Sequence, residues 1–164
     1  APAAHGGNRT GRVFTGDRSA DFLFSCLYKT GFASQPDSLN RNDGLKLYNM
    51  YLTTALKCVP PEDKPTSKEL KTCFNFFNQE INHLKKITTI VALGKIGHDA
   101  CVNYYKQHYE IKNKDFIFSH GSTNILPDKK ILIGSYHPSP RNVNTGRIDQ
   151  NKMVKLLNKI KKIL

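Results

Sequence analysis

Two segments of this chain carry side chains suited to acid–base or anion-stabilising chemistry. Residues 134–142, Gly-Ser-Tyr-His-Pro-Ser-Pro-Arg-Asn, place His137 directly after an apolar run and stiffen the next turn with two prolines. Proline reduces the freedom of the unfolded chain, so such a loop costs little to order. A histidine held there can donate a hydrogen bond to developing negative charge or act as a general acid or base. The plainer alternative is a loop histidine that caps a helix or meets solvent. Residues 1–17 offer Gly6, Gly7, Gly11 and Gly16 for close backbone approach, Phe14 for stacking and Asp17 for acid or base work, against the plainer reading of a glycine-rich surface turn. Cys58, beside Pro60 and Pro61, and Cys73 could meet at one site. Paired thiolates favour zinc or an iron–sulfur cluster, and two further ligands would be needed. Cys26 and Cys101 fall on apolar helical faces, where a buried free thiol is expected. Neither a Walker loop nor a G-x-S-x-G elbow occurs, which removes support for NTPase and α/β-hydrolase chemistry.

The elements that must hold these residues are legible as alternating strands and helices. A helix capped by Ser19 should carry Phe22, Leu23, Cys26 and Leu27 on one face and end near Gly31. Residues 45–57 run into two prolines, and their second half reads as a strand. Thr66 to Glu69 has capping-box spacing ahead of Leu70, Cys73, Phe74, Phe77, Ile81 and Leu84 at helical intervals. Residues 87–93 read as a buried strand that turns at Gly94 into a helix reaching about His108. Residues 116–118 and 131–133 are further strand candidates, and a final amphipathic helix turns Met153, Leu156, Leu157, Ile160 and Leu164 inward. Strands alternating with helices imply an α/β fold with a mostly parallel sheet. Ligands in such sheets sit beyond the carboxyl ends of the strands, which here are the segments holding the unusual residues.

The chain has 164 residues, with 25 Lys and Arg against 13 Asp and Glu and a net charge of +12. That length suits one domain with a real core, and that charge makes nucleic acid or an anionic membrane the leading partner class. No apolar stretch approaches the roughly 18 residues needed to span a bilayer. The start lacks the basic and apolar regions of a signal peptide. With no C-x-x-C pair, the thiols read as reduced or ligating in an intracellular, cytoplasmic protein.

Together, Ala-Pro-Ala-Ala-His-Gly-Gly-Asn-Arg-Thr-Gly-Arg-Val-Phe-Thr-Gly-Asp over residues 1–17 and the segment 134–142 closely resemble the two active-site motifs of family 5 uracil-DNA glycosylases. Residues 56–61, Cys73 and residues 92–97 look like the same family, so the resemblance covers nearly the whole chain. It implies a three-layer α/β/α fold around a central, mostly parallel four-stranded sheet, and an activity in base excision repair: hydrolysis of the N-glycosidic bond of uracil in double-stranded DNA, with other deaminated bases as further candidate substrates. It also implies a structural 4Fe–4S cluster held by four cysteines, of which Cys58 and Cys73 would be two. The family's other two come from an N-terminal C-x-x-C, and this chain starts within the first motif, so residues 1–164 read as a single domain lacking an N-terminal segment. A monomer associated with a prokaryotic nucleoid is the expected state.

By the same resemblance, Asp17 orients the attacking water or stabilises the oxocarbenium-like sugar, and His137 stabilises the uracil anion as it leaves. Phe14 stacks on the flipped base, and the backbone near Ala3, Ala4 and His5 lines its pocket. Asp63 falls where an Asn contacts the base in the family. The loop from Ser139 to Arg147 pinches phosphates, with Arg141, Asn142 or Val143 near the gap left by the base. Arg9, Arg12, Arg18, Lys64, Lys129 and Lys130 supply phosphate attraction. Two other readings compete: a non-catalytic DNA-binding module, and a metallohydrolase with His5, Asp17 and His137 as ligands.

Overall fold

The structure, a computed structural model, describes residues 1–164 apart from the side chain of Asp63; the base contact expected of Asp63 therefore lies outside the described residues. Six α-helices and three strands follow in the order α1 (Gly7–Thr10), α2 (Arg18–Lys29), α3 (Ser67–His83), β1 (Thr89–Leu93), α4 (Lys95–His108), β2 (Thr123–Ile125), β3 (Ile131–Ser135), α5 (Pro140–Asn144) and α6 (Gln150–Lys161).

The fold is α/β, but the sheet differs from the expected four parallel strands. Three strands lie in the order β1-β3-β2. β1 and β3 are parallel, with Leu93 opposite Ser135, and β2 is antiparallel to β3. Parallel pairing follows from the crossover through α4, whereas β2 turns back on β3 through the short connection at Pro127 to Lys130, which permits only antiparallel pairing. Residues 116–118 are not a strand. Residues 45–57 are irregular as well: they carry one isolated β-bridge, Leu47 to Ala33, and side-chain contacts such as those of Thr53 and Lys57 with Glu80 of α3.

Alternation along β3 divides the core. Ile133 packs with α2 and α6 through Leu23, Phe24, Leu27, Met153, Leu156 and Ile160. Leu132 faces the other way, into Phe77, Cys101, Val102 and Tyr105 of α3 and α4. Helices thus cover both faces, and the loops at the carboxyl ends of β1 and β3 are left to build a site. On α6, Leu164 lies outside the helix and is exposed, contrary to the expected inward face. On α3, Phe77 is the fully buried side chain; the capping box forms as anticipated, with Thr66 Oγ1 accepting the Glu69 N–H and Glu69 accepting the Thr66 N–H.

Candidate active site

Asp17 holds two positions at once. It caps α2, its Oδ1 accepting the Ser19 and Ala20 N–H groups at 2.9 and 3.0 Å; the cap is Asp17, not Ser19. A carboxylate is well suited to the positive end of a helix, and the bonds fix its rotamer. The other oxygen, Oδ2, points at Gly6, where a Cβ would come within 2.3 Å of it. The opening segment is therefore not a plain loop: Gly6 leads into α1, and the Ala3 carbonyl accepts the N–H groups of Gly6 and Asn8. Ala3, Ala4 and His5 lie exposed at this mouth.

Phe14 takes φ +53°, a left-handed backbone that few non-glycine residues adopt. Such strain persists when its surroundings over-determine it, and the surroundings here are a polar clamp. The Arg12 guanidinium binds both carboxylate oxygens of Asp43, at 2.9 and 2.5 Å, and Ser38 Oγ at 2.9 Å. Fully buried Thr15 accepts from Arg12 Nε and bonds Ser38. Asp43 also accepts N–H groups of Leu39, Asn40 and Leu45, and the Arg12 guanidinium holds its carboxyl far below the usual carboxylate range. Arg12, expected on phosphates, is thereby engaged by Asp43, Ser38 and Thr15, its side chain only partly buried.

The clamp sets the Phe14 ring against His137, with centroids 5.7 Å apart and planes 28° apart. His137 leaves β3 after Tyr136 and lies over Gly94, where a Cβ would be 3.3 Å from the His137 Cβ. Its carbonyl accepts from Asn142 Nδ2 at 2.9 Å. Burial lowers its pKa below the ordinary 6.5, with the Asp17 carboxylate acting in the opposite sense. The result is an imidazole of lowered pKa beside an aromatic face, with Asp17 close enough to act on it.

A family model described as the uracil DNA glycosylase superfamily matches residues 1–161. The chain belongs to this superfamily. It is 40% identical over 163 residues to the type-5 uracil-DNA glycosylase of Thermus thermophilus, covering 99% of this chain and 72% of the relative. The corresponding values are 38% over 157 residues for the protein of that name from Pyrobaculum aerophilum, covering 96% and 66%, and 37% over 164 residues for that from Mycobacterium bovis, covering 99% and 60%. The chain thus spans 60 to 72% of the length of these relatives. The family expected from residues 1–17 and 134–142 is the one found.

The other residues expected at the site divide between local structure and open surface. Ser139 caps α5, Asn142 anchors His137, and Val143 packs against the α2–α6 core, whereas Arg141 is exposed. Arg9 is exposed, its Nε donating to the His5 carbonyl at 3.0 Å. Arg18, Lys64 and Lys129 are exposed, while Lys130 is paired with Asp128. His5, Asp17 and His137 do not form a metal-binding group, and no cluster of three or more candidate ligands occurs among the described residues. Cys58 and Cys73 both line one cavity of about 260 Å³, with Leu56 and Pro60 on its wall. Cys26 and Cys101 are buried in opposite halves of the core, in keeping with their helical positions. No helix is long and apolar enough to cross a membrane.

Three residues that matter here carry little signal in the sequence. Gly6 is one glycine among several in the opening segment, and only its closeness to a carboxylate distinguishes it. Asp43 and His120 stand outside both motifs; an Asp-Gly turn and a His-Gly turn are the available signals.

Proposed function

We propose that this chain excises uracil from double-stranded DNA by hydrolysing its N-glycosidic bond and leaves an abasic site. The observation that carries the reading is the placement of Asp17, Phe14 and His137 at one mouth, in a chain of this superfamily. The glycosidic bond is inaccessible in a stacked pair, so the nucleotide must leave the duplex. The Phe14 ring stacks on the base. His137, whose pKa burial lowers, donates to the uracil oxygen on which charge grows, a role worth several kcal/mol when the donor is preorganised. Asp17 Oδ2 orients the water and offsets positive charge on the sugar, while Oδ1 is occupied by the helix. Arg9, Arg141 and Arg18 attract phosphates without reading sequence.

The structural expectations join this reading. β1 has one unpaired edge, where a fourth, parallel strand would complete a three-layer α/β/α sandwich. Cys58 and Cys73 fit half of a 4Fe–4S ligand set, and the buried positions of Cys26 and Cys101 mean that two further thiolates would come from outside residues 1–164. Such a cluster supplies structure, and no step of the reaction passes through it. Replacing Cys58 or Cys73 by Ala should lower bound iron and visible absorbance.

The test is cleavage of a labelled duplex with one uracil, with EDTA present and alkali used afterwards to break abasic sites. Uracil-specific breaks that disappear in Asp17→Asn and His137→Ala, with DNA binding retained, support the reading. Binding without any turnover leaves a DNA-binding module in its place.

A further inference from the structure

His120 touches no proposed substrate group, yet it grips the backbone that leads into His137. The turn carrying it is pressed onto β3. Gly121 N–H donates to the Gly134 carbonyl at 2.8 Å, and Gly134 N–H donates to the Ser122 carbonyl at 3.0 Å. A Cβ at Gly134 would sit 2.5 Å from both the Ser119 carbonyl oxygen and Ser122 Oγ, so the approach depends on glycine. It brings the imidazole to the end of the strand. There Nδ1 accepts the Tyr136 main-chain N–H at 3.4 Å and lies 3.3 Å from Ser135 Oγ. The ring stacks on Tyr136, with centroids 5.5 Å apart and planes 23° apart.

β3 ends at Ser135, so the His120 side chain supplies an acceptor just where the ladder stops, one residue before His137. A ring nitrogen that accepts an N–H carries no proton itself, which selects the neutral Nε2–H tautomer. We propose that His120 is a positioning residue for base excision, whose unprotonated Nδ1 clamps Tyr136 and thereby fixes where His137 meets the leaving base. This rests on the glycosylase reading. Protonation at Nδ1 removes the acceptor and releases the clamp.

The charged groups facing the ring are Lys152 and Asp149 at the start of α6, and Ser135 at the end of β3 and Tyr136 just after it also face the ring. Burial favours the neutral form, as does the Lys152 ammonium; the Lys152 backbone and Asp149 favour the cation. Excision then needs two neutral imidazoles, His120 and His137, and its acid limb should be steeper than a single protonation gives.

The experiment uses His120→Phe, which keeps a stacking ring without an acceptor, and His120→Asn, which restores an acceptor near Nδ1 that does not titrate. Single-turnover excision is measured across pH alongside binding to uracil DNA, and long-range ¹H–¹⁵N spectra of the wild type report the tautomer. His120→Phe should slow excision about 10- to 100-fold, as expected for misplacement of a reacting group, with binding unchanged. His120→Asn should recover most of the rate and show a shallower acid limb. A proton on Nδ1 in the spectra at neutral pH overturns the proposal, as do equal losses in both variants or a wild-type rate in His120→Phe. A wild type silent on uracil overturns the glycosylase reading first and takes this inference with it, a failure distinct from the others.

Discussion

Gly6 and Asp17 are packed so closely that residue 6 can bear no side chain: a Cβ there would lie 2.3 Å from Asp17 Oδ2 and 2.6 Å from the Thr15 carbonyl oxygen. Gly6→Ala must therefore displace either the carboxylate or α1. Excision should fall about 100-fold, the scale of a misplaced catalytic group, while far-UV circular dichroism stays that of the wild type. A Gly6→Ala enzyme with full single-turnover rate would show that Oδ2 does not need this position.

The double duty of Asp17 can be separated by two substitutions. Asn caps a helix about as well as Asp, so Asp17→Asn should keep the wild-type urea midpoint and lose about 100- to 10,000-fold in rate with the carboxylate. Asp17→Ala should lose the rate and also about 1 kcal/mol of stability with the cap. Equal stabilities in Asn and Ala variants would mean that the cap contributes nothing.

Arg9 and Arg12 stand three residues apart in different surroundings, Arg9 exposed and Arg12 paired with Asp43. Arg9→Ala should weaken DNA binding and lower the slope of log affinity against log salt by about one, the signature of one lost phosphate contact. Arg12→Ala should leave that slope alone and destabilise the fold. Asp43→Ala should do the same by about 2 to 3 kcal/mol, because it strands Arg12 and the N–H groups of Leu39, Asn40 and Leu45. The depressed pKa of Asp43 gives the sign: its stabilisation is full above the ordinary value of 3.8 and is lost as pH falls below it. Denaturant melts and salt titrations of the two Arg variants distinguish the roles.

Three histidines, His98, His120 and His137, have pKa values lowered from 6.5 by burial. His98 is the least exposed of the three, its ring edge-on to Phe118 and neither ring nitrogen with a hydrogen-bond partner among the described residues, while Asp99, 3.8 Å from Nδ1, acts in the opposite sense. The unfolded chain takes up protons near pH 6.5 that the native state refuses, so stability is full above that pH and declines below it. Each histidine contributes up to about 1.4 kcal/mol per pH unit until its native pKa is reached. Urea melts at a series of pH values should show this loss, and His98→Leu should flatten it; an unchanged slope in that variant would place the proton uptake elsewhere.

Local signals are strong enough to read where few residues decide the outcome. The capping box at Thr66 and Glu69, the 3.6-residue periodicity of α2 and α6, and the β1–Gly94–α4 turn depend on neighbours within one or two turns of chain, and they form as expected. Asp17, Phe14 and His137 are legible as candidates for the same reason, since two contiguous motifs contain them. Elsewhere distant partners decide. Thr123 to Ile125 has too few residues for any periodicity to show, and it becomes a strand because Ile131 to Ile133 lies beside it. The β-rich residues near 50 find no strand to pair with among the described ones and stay irregular. Arg12 looks like a phosphate ligand until Asp43 closes on it, and His120 gains meaning from Tyr136 across a turn. Hydrogen bonds and ion pairs between residues remote in sequence have no periodic trace, so folding alone brings Asp17 to Gly6, and Phe14 and the clamp of His120 to His137.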